Sequence, residues 1–170
     1  MNTGQAGRDS TLARRIESQG DFVAALHDTV ALAGQSAVRR MVWVDPDFAD
    51  WPLDDAALWP QVVDWLRRPR RQLVLLACSF DGLARQCPRF VAGYRLWAHA
   101  IHAFSPAEDD VAGLPSLALA DDFAVLQLFD RQRWRGRISG EASELRVCAE
   151  RVDALLQRAS PAFAATTLGL

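Results

Sequence analysis

Gln72-Leu73-Val74-Leu75-Leu76-Ala77-Cys78 is an unbroken apolar run of strand length. A strand covered on both faces reads as a continuous hydrophobic stretch and not as an alternation, so residues 72–78 predict a fully buried strand. Pro69 stops whatever helix precedes it, and Phe80-Asp81-Gly82 supplies a turn behind it.

Working outward, the flanking segments predict an alternation of helix and strand. Before the run, Leu58, Trp59, Val62, Val63 and Leu66 make a buried stripe on a helix within residues 54–68, with Pro60 at its first position or at a kink. Residues 37–44, rich in Val and Trp, predict a strand that Asp45-Pro46-Asp47 ends. Phe22, Ala25, Leu26, Thr29, Val30 and Ala33 recur at helical spacing over 21–33, with Ser18 or Asp21 as the cap. Residues 1–18 predict a flexible arm and 19–170 a single domain.

After the run, Phe90, Tyr94, Trp97, Ile101 and Phe104 follow helical spacing and predict a helix over 89–103. An acidic loop spans 105–113. Residues 116–120 and 123–129 predict a hairpin turning at Asp121-Asp122, and 133–139 a third strand beside it. The last helix covers 142–158, with Leu145, Cys148, Val152, Leu155 and Leu156 inward, and Pro161 ends it. The expected fold is α/β, a mixed β-sheet with helices on both faces.

Composition narrows the chemistry. The 170 residues are 50% hydrophobic and 24% charged, with a net charge of −2, as befits one globular domain without a general affinity for polyanions. All 19 basic residues are Arg. Without Lys there is no P-loop of the usual kind, no Schiff base to pyridoxal phosphate and no protein kinase. Cys78, Cys87 and Cys148 are odd in number and form no CxxC pair, against a disulfide scaffold or a Cys-rich zinc site. No cofactor is expected. No apolar run is long enough for a membrane span, and no apolar h-region stands in residues 1–19, so the expected location is the cytoplasm.

The order of motifs resembles one half of the phospholipase D-like fold, and more closely an uncharacterised bacterial domain family built on it. The pieces are Val42-Trp43-Val44-Asp45-Pro46-Asp47, Leu73 to Ala77, Tyr94-Arg95-Leu96, Leu117-Ala118-Leu119-Ala120-Asp121-Asp122, Trp134-Arg135-Gly136, Ser160-Pro161 and Leu168-Gly169-Leu170. The resemblance covers about residues 20–170. Active phospholipase D enzymes need HxK followed four residues later by Asp, with His as nucleophile and Lys neutralising the phosphoryl group. If Asp121 takes the Asp place, Leu114 and Ser116 stand where His and Lys belong; if Asp122 does, Pro115 and Leu117 stand there. The resemblance therefore implies the fold without the phosphodiesterase chemistry. Active members join two halves about a two-fold axis, which implies a homodimer that also covers a sheet edge.

The remaining constellations are arginines, histidines and aspartates. Arg131, Arg133, Arg135 and Arg137 alternate, so on an extended strand they share one face and predict an anion-binding ladder, or a solvated face paired with carboxylates. Arg67, Arg68, Arg70 and Arg71 flank Pro69 at a helix end, where the dipole alone favours cations. Arg95, His99 and His102 share the outer face of the 89–103 helix, as a solvated face, an anion contact or a weak metal pair. Asp45 follows a strand at an edge where α/β folds place sites, and with His99 and His102 it forms a possible cleft. Trp51 and Trp134 are the tryptophans expected at the surface.

The function expected from the sequence is a non-catalytic binding or regulatory module. It takes phosphate-bearing ligands, nucleic acid among them, or an acidic partner. The alternatives are a protein-interaction domain without a small-molecule ligand, or an enzyme of unrecognised chemistry using His99, His102 or Asp45.

Overall fold

The computed structural model describes residues 12–162. Within these residues eight strands form one mixed sheet in the order β1-β7-β6-β5-β2-β3-β4-β8. The buried run becomes β3 (Gln72–Leu76) near its middle, paired in parallel with β2 (Arg40–Val44) on one side and β4 (Ile101–Ser105) on the other. Antiparallel strands extend the sheet beyond β2: β5 (Ser116–Ala120), β6 (Ala124–Asp130), β7 (Arg135–Ser139) and β1 (Arg14–Ile16). At the other edge β8 (Ser160–Pro161) pairs with β4. Both edge strands are very short, which blunts edge-to-edge pairing.

Strand alternation sorts the side chains into two cores. Met41, Trp43, Leu73, Leu75, Ile101, Ala118 and Leu126 face the larger one. There they meet helices α1 (Gln19–Gln35), α2 (Leu58–Leu66), α3 (Asp81–Gln86) and α4 (Pro88–Leu96). Val42, Val44, Val74, Leu76, Leu117, Leu119 and Val125 face the smaller one, covered by α5 (Ala142–Arg158) through Leu145, Cys148, Val152 and Leu155. The chain is thus a mixed α/β fold with helices on both faces of a single sheet, as expected.

Local chemistry sets the element ends. Ser18 caps α1 by accepting the Asp21 N–H at 3.1 Å. Pro88 opens α4 at a position where its missing N–H costs nothing. The β5–β6 turn runs through Asp121 at φ 41°, a left-handed conformation that Asp tolerates better than most residues. Gly136 is required by packing: a Cβ there would lie 2.0 Å from the Gln127 carbonyl oxygen.

Three expectations are corrected. The helix predicted over 89–103 stops at Leu96, and Ile101–Ser105 is β4. A strand as apolar as β3 needs a hydrogen-bonded neighbour on each edge, and Ile101 and Ala103 fit that edge on one face while His102 and Phe104 take the other. The flexible arm predicted over 1–18 does not describe residues 12–18, because Arg14–Ile16 pairs with β7 and Leu12 and Ile16 are buried; residues 1–11 lie outside the described residues. Residues 131–134 are a turn and not part of an extended strand, so β7 begins only at Arg135.

Candidate functional site

The two ends of the sheet differ in chemistry. Where β2 finishes, Asp45 is fully buried and accepts from five groups. Its Oδ1 takes the N–H of Asp47 at 3.1 Å, the N–H of Phe48 at 2.8 Å and the Arg131 guanidinium at 3.1 Å. Its Oδ2 takes the Trp51 indole N–H at 3.0 Å and the Ser116 hydroxyl at 2.6 Å. A carboxylate offers about four lone-pair sites, so four hydrogen bonds and the Arg131 ion pair spend the capacity of Asp45 inside the fold. It is the knot that joins β2, the following loop, β5 and the β6–β7 turn.

Trp51 is consequently buried and not at the surface as expected. Its ring packs edge-on against Phe22 at 5.1 Å and Phe48 at 5.0 Å. Trp134 is half-buried, 5.4 Å from Phe22. Asp47 also receives Arg131, at 2.9 Å. Partial burial works against its charge, but the Ala49 N–H and Arg131 prevail and hold its carboxyl below the ordinary value. Cys78 lies beside this cluster, and burial followed by the charges of Asp45 and Asp47 pushes its thiol up, away from the reactive thiolate.

The predicted arginine ladder divides into four separate ion pairs. Arg131 and Arg133 sit in the β6–β7 turn, so they are not in line with Arg135 and Arg137 on β7. Arg131 holds Asp45 and Asp47, Arg133 holds Asp130 at 3.2 Å, Arg135 holds Glu17 at 3.6 Å and Arg137 holds Glu144 at 2.6 Å. Arg137 also lies over the Phe129 ring at 5.7 Å.

Nor does the structure assemble the possible cleft of Asp45, His99 and His102. His99 is exposed in the turn after α4, its ring 5.6 Å from Trp97. His102 lies on β4, between Ile101 and Ala103 that face the larger core, and so projects to the α5 side. Asp45 is knotted into the Trp51 side. Arg95, at the exposed end of α4, shares no helical face with either His, because the helix ends at Leu96. Among the described residues no group of three or more His, Cys, Asp or Glu could hold a metal ion.

The opposite end, where β2 and β3 begin, gathers cations. The parallel register pairs Arg40 with Gln72, and the Gln72 N–H donates to the Arg39 carbonyl at 2.9 Å, so Arg39 and Arg71 stand side by side. The turn after α2 carries Arg67, Arg68 and Arg70 directly ahead of Arg71. Arg71 is half-buried and donates to the carbonyls of Ser36, Ala37 and Val38. Burial, then the charges of Arg68 and Arg39, lower its pKa against the opposing charge of Asp121. Arg67 is paired with Asp64 at 3.0 Å. Arg39, Arg68 and Arg70 are exposed and their guanidiniums form no ion pair among the described residues, although the Arg39 N–H donates to the Asp121 carboxylate at 2.6 Å. Sequence reasoning noted the group around Pro69 but not Arg39, whose place depends on the β2–β3 register. The two arginine groups therefore occupy opposite ends of the sheet.

Comparisons with known proteins agree on the fold. TrmBL2, described as an archaeal chromatin protein with a novel mode of DNA binding, superposes with a TM-score of 0.60 at 10% identity, over 89% of this chain and 54% of its own. Phosphatidylserine synthase from Haemophilus influenzae Rd KW20 superposes with a TM-score of 0.50 at 12% identity, over 86% of this chain and 38% of its own. Nuc, a phospholipase D family member from Salmonella typhimurium, gives a TM-score of 0.49 at 9% identity, over 81% of this chain and 90% of its own. This chain thus spans about half of TrmBL2 and under half of the synthase. No family model and no curated protein sequence matches it. The fold of this chain, one mixed sheet with helices on both faces, is phospholipase D-like.

Proposed function

We propose that this chain is a non-catalytic phospholipase D-like module that binds phosphate groups of nucleic acid through Arg39, Arg68 and Arg70. The observation that carries this reading is the unneutralised cluster at the start of β2 and β3. Three exposed guanidiniums there form no ion pair, the nearby Asp121 carboxylate being engaged by the Arg39 and Arg40 N–H groups, while Arg14, Arg40, Arg67, Arg89, Arg131, Arg133, Arg135, Arg137 and Arg158 are all ion-paired. Like charges held together repel unless an anion enters, and Arg presents the fork that phosphate oxygens match. Arg71, pinned to three carbonyls, fixes the backbone from which Arg39 and Arg70 project.

Two further points support the reading. Ser116, which takes the place of the family's Lys in the register that aligns Asp121, is committed to the buried Asp45, and Leu114 replaces the nucleophile. TrmBL2, described as a DNA-binding chromatin protein, has the same overall fold; since fold alone does not carry function, the arginines bear the argument. As part of the proposal the chain forms a two-fold dimer; of the exposed apolar side chains Leu96, Val111, Phe129 and Val147, Phe129 and Val147 lie on the α5 side.

A thermal-shift screen at low salt tests the ligand class. Single- and double-stranded oligonucleotides should raise the melting temperature, and the rise should fade with added salt. A rise with none of them, or one indifferent to salt, contradicts the proposal.

A further inference from the structure

A cavity of about 520 Å³ opens between the sheet and the first half of α5. It lies at the beginning of β2 and the end of β5, the end of the sheet away from the Asp45 knot. Its floor is apolar: Val42, Leu119 and Leu145, with Ala149 beside them. Its charged lining is Arg40, Asp121, Asp122 and Arg146.

These four charges are not equally available. Arg40 is held by Asp153 at 3.0 Å. One oxygen of Asp121 accepts the backbone N–H groups of Arg39 at 2.6 Å and Arg40 at 3.0 Å, so it serves the main chain. Asp122 is exposed on the β5–β6 turn, at one side of the opening. Arg146 is exposed on α5 and has no partner among the described residues, so on the helix side the cavity presents an uncommitted guanidinium over an apolar floor.

We propose that this cavity is a binding site for a small amphipathic anion. An apolar body rests on Val42, Leu119 and Leu145, and a carboxylate or phosphate head meets Arg146 on the α5 side, away from Asp122. The volume falls in the range of small-molecule sites, and an apolar floor with a few placed polar groups is their usual composition. The head would gain a charge-assisted, two-pronged contact with Arg146. This inference does not rest on the proposed binding of nucleic acid, which uses other arginines.

The test is calorimetric titration of the whole chain with octanoate and octyl phosphate, beside 1-octanol and octylammonium as neutral and cationic counterparts. The expected result is saturable binding of at least one anion, and no measurable binding of octanol or octylammonium at the same concentrations. Arg146→Glu should weaken anion binding at least tenfold with an unchanged melting temperature, since Arg146 makes no contact that folding needs. Ala149→Trp, which fills the cavity, should abolish it. Arg68→Ala with Arg70→Ala should leave it intact, which separates this site from the nucleic-acid surface. Which anion binds more tightly identifies the head group. Dilution heats alone with both anions, octanol binding as tightly as octanoate, or full affinity in Arg146→Glu would each overturn the proposal.

Discussion

Ser116 donates its hydroxyl to Asp45 across 2.6 Å, joining the first residue of β5 to the residue that follows β2, 71 positions earlier in the chain. β2 and β5 are antiparallel neighbours, so this bond closes their ladder at the end where Trp51 and Arg131 also converge. In the register that aligns Asp121, Ser116 stands where the resemblance puts the Lys of active phospholipase D enzymes. A Lys there would put an ammonium group beside an already saturated carboxylate. The same position thus contributes to stability here, and its chemistry is spent on Asp45.

The knot predicts graded losses of stability. Asp45→Ala removes the acceptor of five donors and leaves Arg131 without its buried partner, a change that typically costs about 3–5 kcal/mol. Ser116→Ala removes one hydroxyl bond and should cost about 1–2 kcal/mol. Urea denaturation checks both, and the double variant should be no worse than Asp45→Ala alone, because Ser116 acts through Asp45.

Gly136→Ala should be among the most damaging single substitutions. The added methyl would meet the Gln127 carbonyl at 2.0 Å, a backbone atom that cannot turn aside. β7 would have to leave β6, and β1, which pairs only with β7, would follow. We expect a loss above the usual range of about 1–3 kcal/mol for overpacking. Hydrogen exchange should show β1 and β7 unprotected while β2 and β3 remain protected.

Acid should destabilise the chain below about pH 4. Asp110 is held below its ordinary pKa first by its hydrogen bond from Arg158, Asp130 first by the Arg133 N–H, and Asp21 first by the Glu17 N–H. Lowered pKa values mean that the unfolded chain binds more protons in this range, so stability rises with pH. The contribution is complete above the unfolded carboxylate value and is lost as pH falls through the folded ones. Melting temperature measured against pH should be level above pH 5, which lies about one unit above the free carboxylate values, and fall below pH 4. Arg158→Ala should reduce that fall, and a melting temperature that peaks near pH 3 would contradict the account.

The elements read correctly from sequence are those whose patterns are local. The spacing of Phe22 to Ala33 marks α1, that of Leu145 to Leu155 marks α5, and the solid run of β3 marks a buried strand. β4 escaped because Tyr94, Trp97 and Ile101 continue a helical spacing past the point where the helix stops; only the need of β3 for a second neighbour explains the strand. Trp51 looked exposed because its partner is a buried carboxylate six residues away, and Asp45 looked like a site because its five partners come from three separate segments. The ladder assumed one extended segment through residues 131–137, and the turn at 131–134 breaks it. Arg39 and Arg71 become neighbours only once β2 and β3 are in register. Local periodicity carries none of these long-range relations.

The central claim is that Arg39, Arg68 and Arg70 bind nucleic-acid phosphates, and the salt dependence of DNA binding tests it most directly. Fluorescence anisotropy with a labelled 20-base-pair duplex, repeated across salt concentrations, yields the slope of log affinity against log salt. Neutralising about three phosphates predicts a slope near −2.7 for the native chain. Arg39→Ala, Arg68→Ala and Arg70→Ala together should remove most of that slope and the affinity with it, while Arg133→Ala with Arg135→Ala should change little. No binding by the native chain at low salt, or an unchanged slope in the triple variant, would contradict the assignment.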